Sequence, residues 1–466
     1  MTMESDMGMK SRISKIRIPE NAKKIIGLLE EAGYEAFVVG GCVRDAVFGR
    51  TPSDWDITTQ ALPEEMLTVF RDLHVVPTGL KHGTVTVVMD GENYEVTTYR
   101  VDGEYKDSRH PESVEFVRDI TEDLSRRDFT INAMAYSDER GFVDHFGGME
   151  DLERGVIRCV GDPEKRFSED ALRILRCVRF ASQLGFSIEE ETARAMYDTL
   201  PLLGNIAAER IRVEFEKLLC GAGAGKVLEE HREVIASFIP EIRPMFDLDQ
   251  ENPFHLYDVW MHTVHAVSAA EAPGVDERLL KLAAFFHDIG KPPCKVVDRG
   301  WGHFYHHEHV GADMTDEIMR RLRFDNETRK TVVMLIKKHG TVFNPNGKQA
   351  RRLLAKMGED DLALLIALEK ADVSAQHPDY VEERLENIGV FEEKVRELAE
   401  GEQCFRMGDM KIDGRDIMAL GVEQGREIGR IKNELFERVV EGLLENDREV
   451  LLAEAKTLVA EMVKEC

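Results

Sequence analysis

The chain has 466 residues, 43% of them hydrophobic, which is enough for roughly two to four domains with cores of their own. Its 61 basic and 88 acidic residues leave a formal net charge of −27, which argues against a general nucleic-acid coat and leaves RNA as a substrate held by a local basic strip. No run of about 18 apolar residues is present to span a membrane. The opening MTMESDMGMKSRISK has no apolar signal core, and the seven cysteines are scattered without a CxxC pair. The expectation is a cytoplasmic protein with reduced thiols, not a disulfide frame or a cysteine zinc site.

In chain order, residues 20–35 predict a helix, with Ile25, Ile26, Leu28 and Leu29 spaced for one face and Gly33 at its end. Runs at 36–39, 55–58, 84–89, 94–99 and 114–117 predict strands and, with intervening helices, an α/β head to about residue 150. From about 160 to 245 the pattern is helical and Arg-rich. From about 250 to 380 it is helical and holds most of the histidines, and the remainder is helical and rich in Glu, Lys and Arg. The predicted fold is therefore α+β: a small mixed-sheet head (20–158), a helical neck (159–247), a helical body (248–384) and a helical tail (385–466).

Residues 40–56, GGCVRDAVFGRTPSDWD, are the most informative. On a strand, alternate side chains share a face, so Asp54 and Asp56 would project together and Trp55 the other way. Two such carboxylates can hold two divalent cations around a phosphoryl group. Gly40 and Gly41 let the backbone approach a triphosphate closely. Arg44 can hold phosphate oxygens, or form a structural pair with Asp45 at the start of a helix, or both. Glu95, in the strand YEVTTYR, is a candidate third carboxylate that could equally be solvated. In LSRRDFTINA, Arg126 and Arg127 can reach phosphates, and Asp128 or Asn132 can hydrogen-bond a ribose 2′-OH, ahead of an apolar run predicted to be helical. Read alone, that cluster is equally a helix cap with two solvated arginines.

These segments, with GDPEKRFSEDALRILRCVRFA and AAERIRVEFEKLL, occur in the order of the class II tRNA nucleotidyltransferases and their bacterial poly(A) polymerase relatives, which the chain resembles over nearly its whole length. The late segment KIDGRDIMALGVEQGREIGRIKNEL resembles the same family. The resemblance implies a polymerase-β-like head that uses Mg2+, CTP and ATP to extend the tRNA 3′ acceptor end, with no DNA and no membrane partner. It also implies template-free reading of the base by Glu169, Asp170 and Arg173, with Arg176 and Arg179 on the same segment contributing to nucleotide binding. Asp170 and Arg173, three apart, are expected to share a helix face, where they could also be an ordinary ion pair. Arg210, Glu214 and Lys217 are implied to brace the neck. TYRVDGEYKDSRHP, with Asp102, Asp107 and Arg109, resembles the loop that full CCA-adding members use to switch to the final A.

The body reads HLYDVWMHT, FFHDIGKP, HFYHHEHVGA, KKHG and KADVSAQ, a pattern that resembles the HD-superfamily phosphohydrolases. That resemblance implies His262, His287, Asp288 and Asp372 as ligands of a divalent transition metal, with His307 and His339 as further candidates and Lys291 near the phosphate. The leading expectation is CCA addition with a phosphohydrolase activity in the body. The alternatives are an A-adding or poly(A) polymerase, and an HD phosphohydrolase with a vestigial RNA-binding head.

Overall fold

The computed structural model describes residues 13, 16–103, 113–344, 347–400, 407–422 and 425–465. Asp107 and Arg109 lie outside them. The chain forms two compact units that divide between Pro240 and Glu241. Among the described residues, no helix is long and apolar enough to cross a membrane.

In the first unit, helix α1 (Glu20–Glu31) buries Ala22, Ile25, Ile26 and Leu29 on one face. It ends short of the expected residue 35, because Gly33 turns left-handed at φ +90° and Tyr34 N–H closes onto Leu29 O. Strand β1 (Ala36–Val39) is buried throughout and leads into α2 (Gly41–Phe48). Strands β2 (Ile57–Thr59), β3 (His74–Gly79), β4 (Thr84–Met89) and β5 (Glu92–Thr98) follow. Next come an antiparallel pair, β6 (Arg100–Asp102) with β7 (Val114–Phe116), then α3 (Ile120–Ser125), β8 (Ala135–Ser137) and β9 (Gly141–Val143). The seven-stranded sheet has the order β3-β4-β5-β2-β1-β8-β9, and within it only β2 and β5 pair in parallel.

Three features depart from expectation. The strand expected at 55–58 begins only at Ile57, so both Asp54 and Asp56 precede β2, although Val39 N–H still donates to Asp56 O at 3.0 Å. Strand β3 contains Pro77, which breaks the sequence pattern but is tolerated because β3 is an edge with a register shift between Val76 and Gly79. The run after LSRRD is not helical. Asp128 Oδ1 accepts the Phe129 N–H at 2.8 Å, a local bond that competes with helix. A single 3₁₀ turn over Thr130–Asn132 then leads into β8.

Strand β10 (Val156–Ile157), parallel to β11 (Ser187–Ile188), leads to the neck helices α4 (Pro163–Glu169), α5 (Leu172–Leu184) and α6 (Ala208–Leu219). The Asp162 carboxylate caps α4, Gly185 at φ +73° ends α5, and Ser182 Oγ donates to Leu218 O at 2.6 Å where α6 packs on α5.

The second unit is helical around α7 (Val259–Ala269), α8 (Glu277–Phe286), α9 (His307–Arg321), α10 (Asn326–Lys338) and α11 (Glu359–Ser374). Asp258, Asp276 and Asp325 cap α7, α8 and α10 with their carboxylates. Helix α11 buries Leu362, Leu365, Ile366, Leu368 and Val373 and packs against α7, α8 and α10. The hairpin β12 (Lys295–Asp298) and β13 (Trp301–Phe304) stands between α8 and α9. Its two central residues, Arg299 and Gly300, both have positive φ, which suits a tight hairpin. Further on, Ile412, Ile417, Ile431, Leu435 and Leu451 form a separate apolar centre.

Candidate functional site

Ile57 and Val96 sit opposite each other in the parallel β2–β5 pair and are both buried. The residues one step earlier, Asp56 and Glu95, therefore face the opposite side of the sheet, and the Asp54 charge, two residues before Asp56, acts on the same carboxyl. All three carboxylates are open to water. Desolvation by the atoms packed behind it, then the charges of Asp54 and Glu95, push the Asp56 carboxyl up to about 6 against the pull of Arg127. An all-oxygen donor set whose members repel one another fits a hard divalent cation.

Arg127 is held beside this trio from two directions. Gly40, at φ +83°, leaves the space it occupies, since a β-carbon there would lie 2.9 Å from Arg127 Nη1. Asp123, buried on α3, accepts Arg127 Nη2 at 3.3 Å and Arg126 Nη2 at 2.8 Å. The same carboxylate accepts the Arg100 N–H at 3.3 Å. Burial opposes its charge, but Arg126 and Arg127 outweigh burial and hold it below the usual carboxylate range.

A second polar chain runs from α2 to the neck. Arg44 pairs with both oxygens of Asp45, at 2.9 and 3.0 Å, and donates to Asn132 Oδ1 at 2.6 Å. Asn132 Nδ2 donates to Asp128 Oδ1 at 3.1 Å, and Asp128 Oδ2 accepts Arg176 Nε at 2.8 Å. Burial works against the Asp128 charge, yet Arg176 and Asn132 hold the carboxyl well below its ordinary range. The Phe180 ring lies under three guanidiniums, those of Arg44, Arg176 and Arg179, at 5.1, 5.3 and 3.9 Å from its centroid.

In the neck, Asp170 is not helical. It sits in the break between α4 and α5 at φ −135°, ψ 101°, and its carboxylate accepts Leu172 N–H and pairs with Arg210 at 3.1 Å. Arg173 pairs with Glu169 at 2.8 Å and donates to the carbonyls of Arg166 and Arg126. The expected common helix face for Asp170 and Arg173 is thus corrected: each is held by separate partners. Glu214 on α6 meets Arg179 at 2.6 Å, while Lys217 on the same helix is exposed.

In the second unit, His262 (α7), His287 (after α8) and Asp372 (α11) converge. His262 Nε2 is 2.8 Å from Asp372 Oδ1 and 3.3 Å from His287 Nε2. Asp288 Oδ2 is 3.2 Å from His287 Nε2, and its Oδ1 faces His307 Nε2 at 3.6 Å and His339 Nε2 at 3.8 Å. The donor atoms fall into two groups, His262–His287–Asp372 and Asp288–His307–His339, each within 4.8 Å. The Nδ1 atoms of His262, His287, His307 and His339 all face carbonyls, of Ala375, Ala284, Phe304 and Ile336. A carbonyl only accepts, so each Nδ1 carries a proton and, in the neutral ring, each Nε2 offers a lone pair inward. Two such Nε2 atoms 3.1 Å apart, as in His307 and His339, have nothing to share but a cation. Burial pushes His287 down, but Asp288 and Asp372 outweigh it and raise it to about 9. Lys291 Nζ lies 2.7 Å from Asp288 Oδ2 and is anchored by Gln250.

The sequence matches the family described as the poly A polymerase head domain over residues 36–158, a probable RNA- and SrmB-binding site of polymerase A over 185–244, and the HD domain over 259–376. A CCA-adding enzyme of Leuconostoc mesenteroides is 34% identical over 94% of this chain and 96% of its own length. The chain belongs to the CCA-adding enzyme family. A CCA-adding enzyme of Geobacillus kaustophilus is 52% identical over a shorter stretch, 45% of this chain and 51% of that protein. The crystal structure of the Bacillus stearothermophilus CCA-adding enzyme in complex with CTP superposes with a TM-score of 0.70 at 28% identity, covering 97% of this chain and all of that one. The Thermotoga maritima CCA-adding enzyme complexed with tRNA shares the fold at a TM-score of 0.60 and 20% identity, covering 97% of this chain and 98% of that one.

The chain thus joins a nucleotidyltransferase head to an HD domain whose described residues include groups of His and Asp that could hold a metal ion. Sequence reasoning missed Asp123 and Phe180. Their signal was weak: an acid three residues before RRD, and an aromatic at Arg176 plus four on the helix that carries Arg176 and Arg179.

Proposed function

We infer that this chain adds C, C and A, without a template, to the tRNA 3′ end from CTP and ATP, acting in the cytoplasm. The observation that carries this is the carboxylate trio of Asp54, Asp56 and Glu95 beside Arg127 and the Gly40–Gly41 turn, in a family member matched along its length. In the reaction the tRNA 3′-hydroxyl oxygen forms a bond to the α-phosphorus. The bond from that phosphorus to the bridging oxygen breaks, pyrophosphate leaves, and Glu95 takes the hydroxyl proton. Asp54 and Asp56 would hold Mg2+, which supplies charge neutralisation at the phosphates. Arg44, Arg126 and Arg127 grip the triphosphate, and Asp128 with Asn132 places the ribose. Arg176 and Arg179 set the wall of the nucleotide site, braced by Glu214, and Lys217 on the Glu214 helix is exposed.

Asp170 and Arg173 select the base. Cytosine and adenine each offer an amino donor beside a ring-nitrogen acceptor, which matches one carboxylate and one guanidinium. Uracil and guanine present a carbonyl and a ring N–H instead. Arg210 holds Asp170, and Glu169 with two carbonyls holds Arg173, so both groups are fixed before the base arrives.

The second unit is read as a phosphohydrolase, on the convergence of four Nε2 lone pairs and two carboxylates. Divalent transition metal held by those groups would supply an activated water. Water's oxygen bonds to phosphorus, the ester P–O bond breaks, and the leaving alkoxide ends with the proton. Lys291 faces the phosphate. Asp54→Ala should abolish incorporation and spare phosphate release, and Asp288→Ala should do the reverse. Incorporation surviving in Asp54→Ala would overturn the head assignment.

A further inference from the structure

The turn from β13 into α9 carries four donor side chains in a row, His306, His307, Glu308 and His309. His307 belongs to the buried centre, and its Nδ1 donates to Phe304 O at 2.7 Å. The other three form a group of their own: one donor atom from each of His306, Glu308 and His309 lies within 4.8 Å of the other two. Both of these histidines are exposed and Glu308 is half-buried. None of the three is among the six groups of the buried centre. The backbone explains how they meet. His306 is left-handed at φ +63°, a conformation uncommon outside glycine in which histidine is several-fold enriched. Its carbonyl accepts the His309 N–H at 3.1 Å and the Val310 N–H at 3.2 Å, which closes the first turn of α9. The closed turn brings the His306 and His309 rings together, with centroids at 6.3 Å and planes at 80°. Glu308 Oε1 lies 3.0 Å from His309 Nδ1.

Two imidazoles and a carboxylate suit a divalent transition metal ion such as Zn2+, whereas Mg2+ and Ca2+ favour oxygen ligands alone. Side-chain rotation brings three such atoms from their present spacing to about 2.0–2.2 Å from a shared ion. The first turn of a helix carries partial positive charge, which by itself repels a cation. The Glu308 carboxylate, half-buried between the flanking histidines, offsets that charge. We propose that His306, Glu308 and His309 form a second, surface site for a divalent transition metal ion, with water in its remaining positions. The ion ties the two ends of the first turn together, and so fixes the corner from which His307 enters the buried centre. The site needs no particular activity of that centre.

The test is a calorimetric titration of Zn2+ into the untagged, metal-stripped full chain, for wild type, His306→Asn and His309→Ala. Both positions are exposed, asparagine tolerates the left-handed backbone and alanine suits the helix, so both variants are expected to fold. Any Zn2+ taken by the buried centre is common to all three proteins, and the difference between isotherms reads the surface site. The expected result is that wild type binds one more Zn2+ per chain than either variant, and that excess Mg2+ does not displace it. Equal stoichiometry in all three proteins overturns the site. Loss in one variant only overturns the three-ligand set. Loss of more than one Zn2+ per chain overturns its separateness and assigns the turn to the buried centre. Displacement of the additional ion by Mg2+ overturns the assignment to a transition metal.

Discussion

Asp123 has no direct part in the chemistry, yet it fixes Arg127 beside the carboxylate trio, and Asp123→Asn tests that link. The carboxylate is fully buried, and its two oxygens serve Arg126 at 2.8 and 3.0 Å, Arg127 at 3.3 Å, the Arg100 N–H at 3.3 Å and Thr58 Oγ1 at 3.4 Å. Asparagine keeps the volume and one acceptor, so Arg126 and the Arg100 amide retain a partner. The other position becomes an NH2 that faces the Arg127 guanidinium, a donor against a donor. One charge-assisted hydrogen bond of about 1.5–3 kcal/mol is lost. The two arginine side chains are only 17% and 20% exposed, so water recovers part of it. The net cost is about 2 kcal/mol, or roughly 4–8 °C in the midpoint of the first unit's unfolding. Urea unfolding should show that loss of stability and thermal unfolding the lower midpoint, and steady-state incorporation should show KM for CTP and ATP rising several-fold with kcat changed less. A midpoint within about 0.5 kcal/mol of wild type, together with unchanged KM, would refute the positioning role.

Gly40→Ala places a β-carbon 2.9 Å from Arg127 Nη1 at a backbone angle of +83°, so stability should fall by about 1–2 kcal/mol and incorporation should fall further than stability explains. Single-turnover incorporation beside urea unfolding measures both. Phe180→Leu removes the ring shared by Arg44, Arg176 and Arg179 and should cost about 1–2 kcal/mol with weaker nucleotide binding, read by calorimetric titration of CTP. Glu369 in α11 is buried, and burial followed by the Asp372 charge pushes its carboxyl up to about 8 from 4.5. The folded state therefore binds a proton there that the unfolded state releases, and its contribution to stability declines as pH rises from about 4.5 through about 8. Glu369→Gln removes that decline. In metal-free buffer its stability relative to wild type should grow across this window by an amount on the order of a few kcal/mol. A pH-independent difference would contradict it.

Much of the head was legible because its signals are local. Ala36–Val39 is an apolar run between a helix and a glycine pair, and it became the buried strand beside the site. β3 was not legible, since Pro77 reads as a break and only its place at the sheet edge makes it tolerable. β8 was hidden for a different reason: three residues are too few for a period, and pairing with β1 and β9 decides the matter. The Asp170–Arg173 spacing suggested one helix face, but the Asp170 carboxylate caps Leu172 N–H and breaks the helix there. The histidine residues could be picked out by pattern. Their tautomers could not, because each depends on a carbonyl that only the fold brings to Nδ1.

The most direct test of the central claim gives the protein, with magnesium, three tRNA transcripts ending before CCA, after C and after CC. Each receives single labelled nucleotides or CTP with ATP, and products are resolved to one nucleotide. All three should grow to a CCA end and stop, with UTP and GTP ignored. Extension of the CC-ending transcript alone by one A, or unlimited A tails, would contradict CCA addition, and no extension at all would contradict the nucleotidyl-transfer site itself.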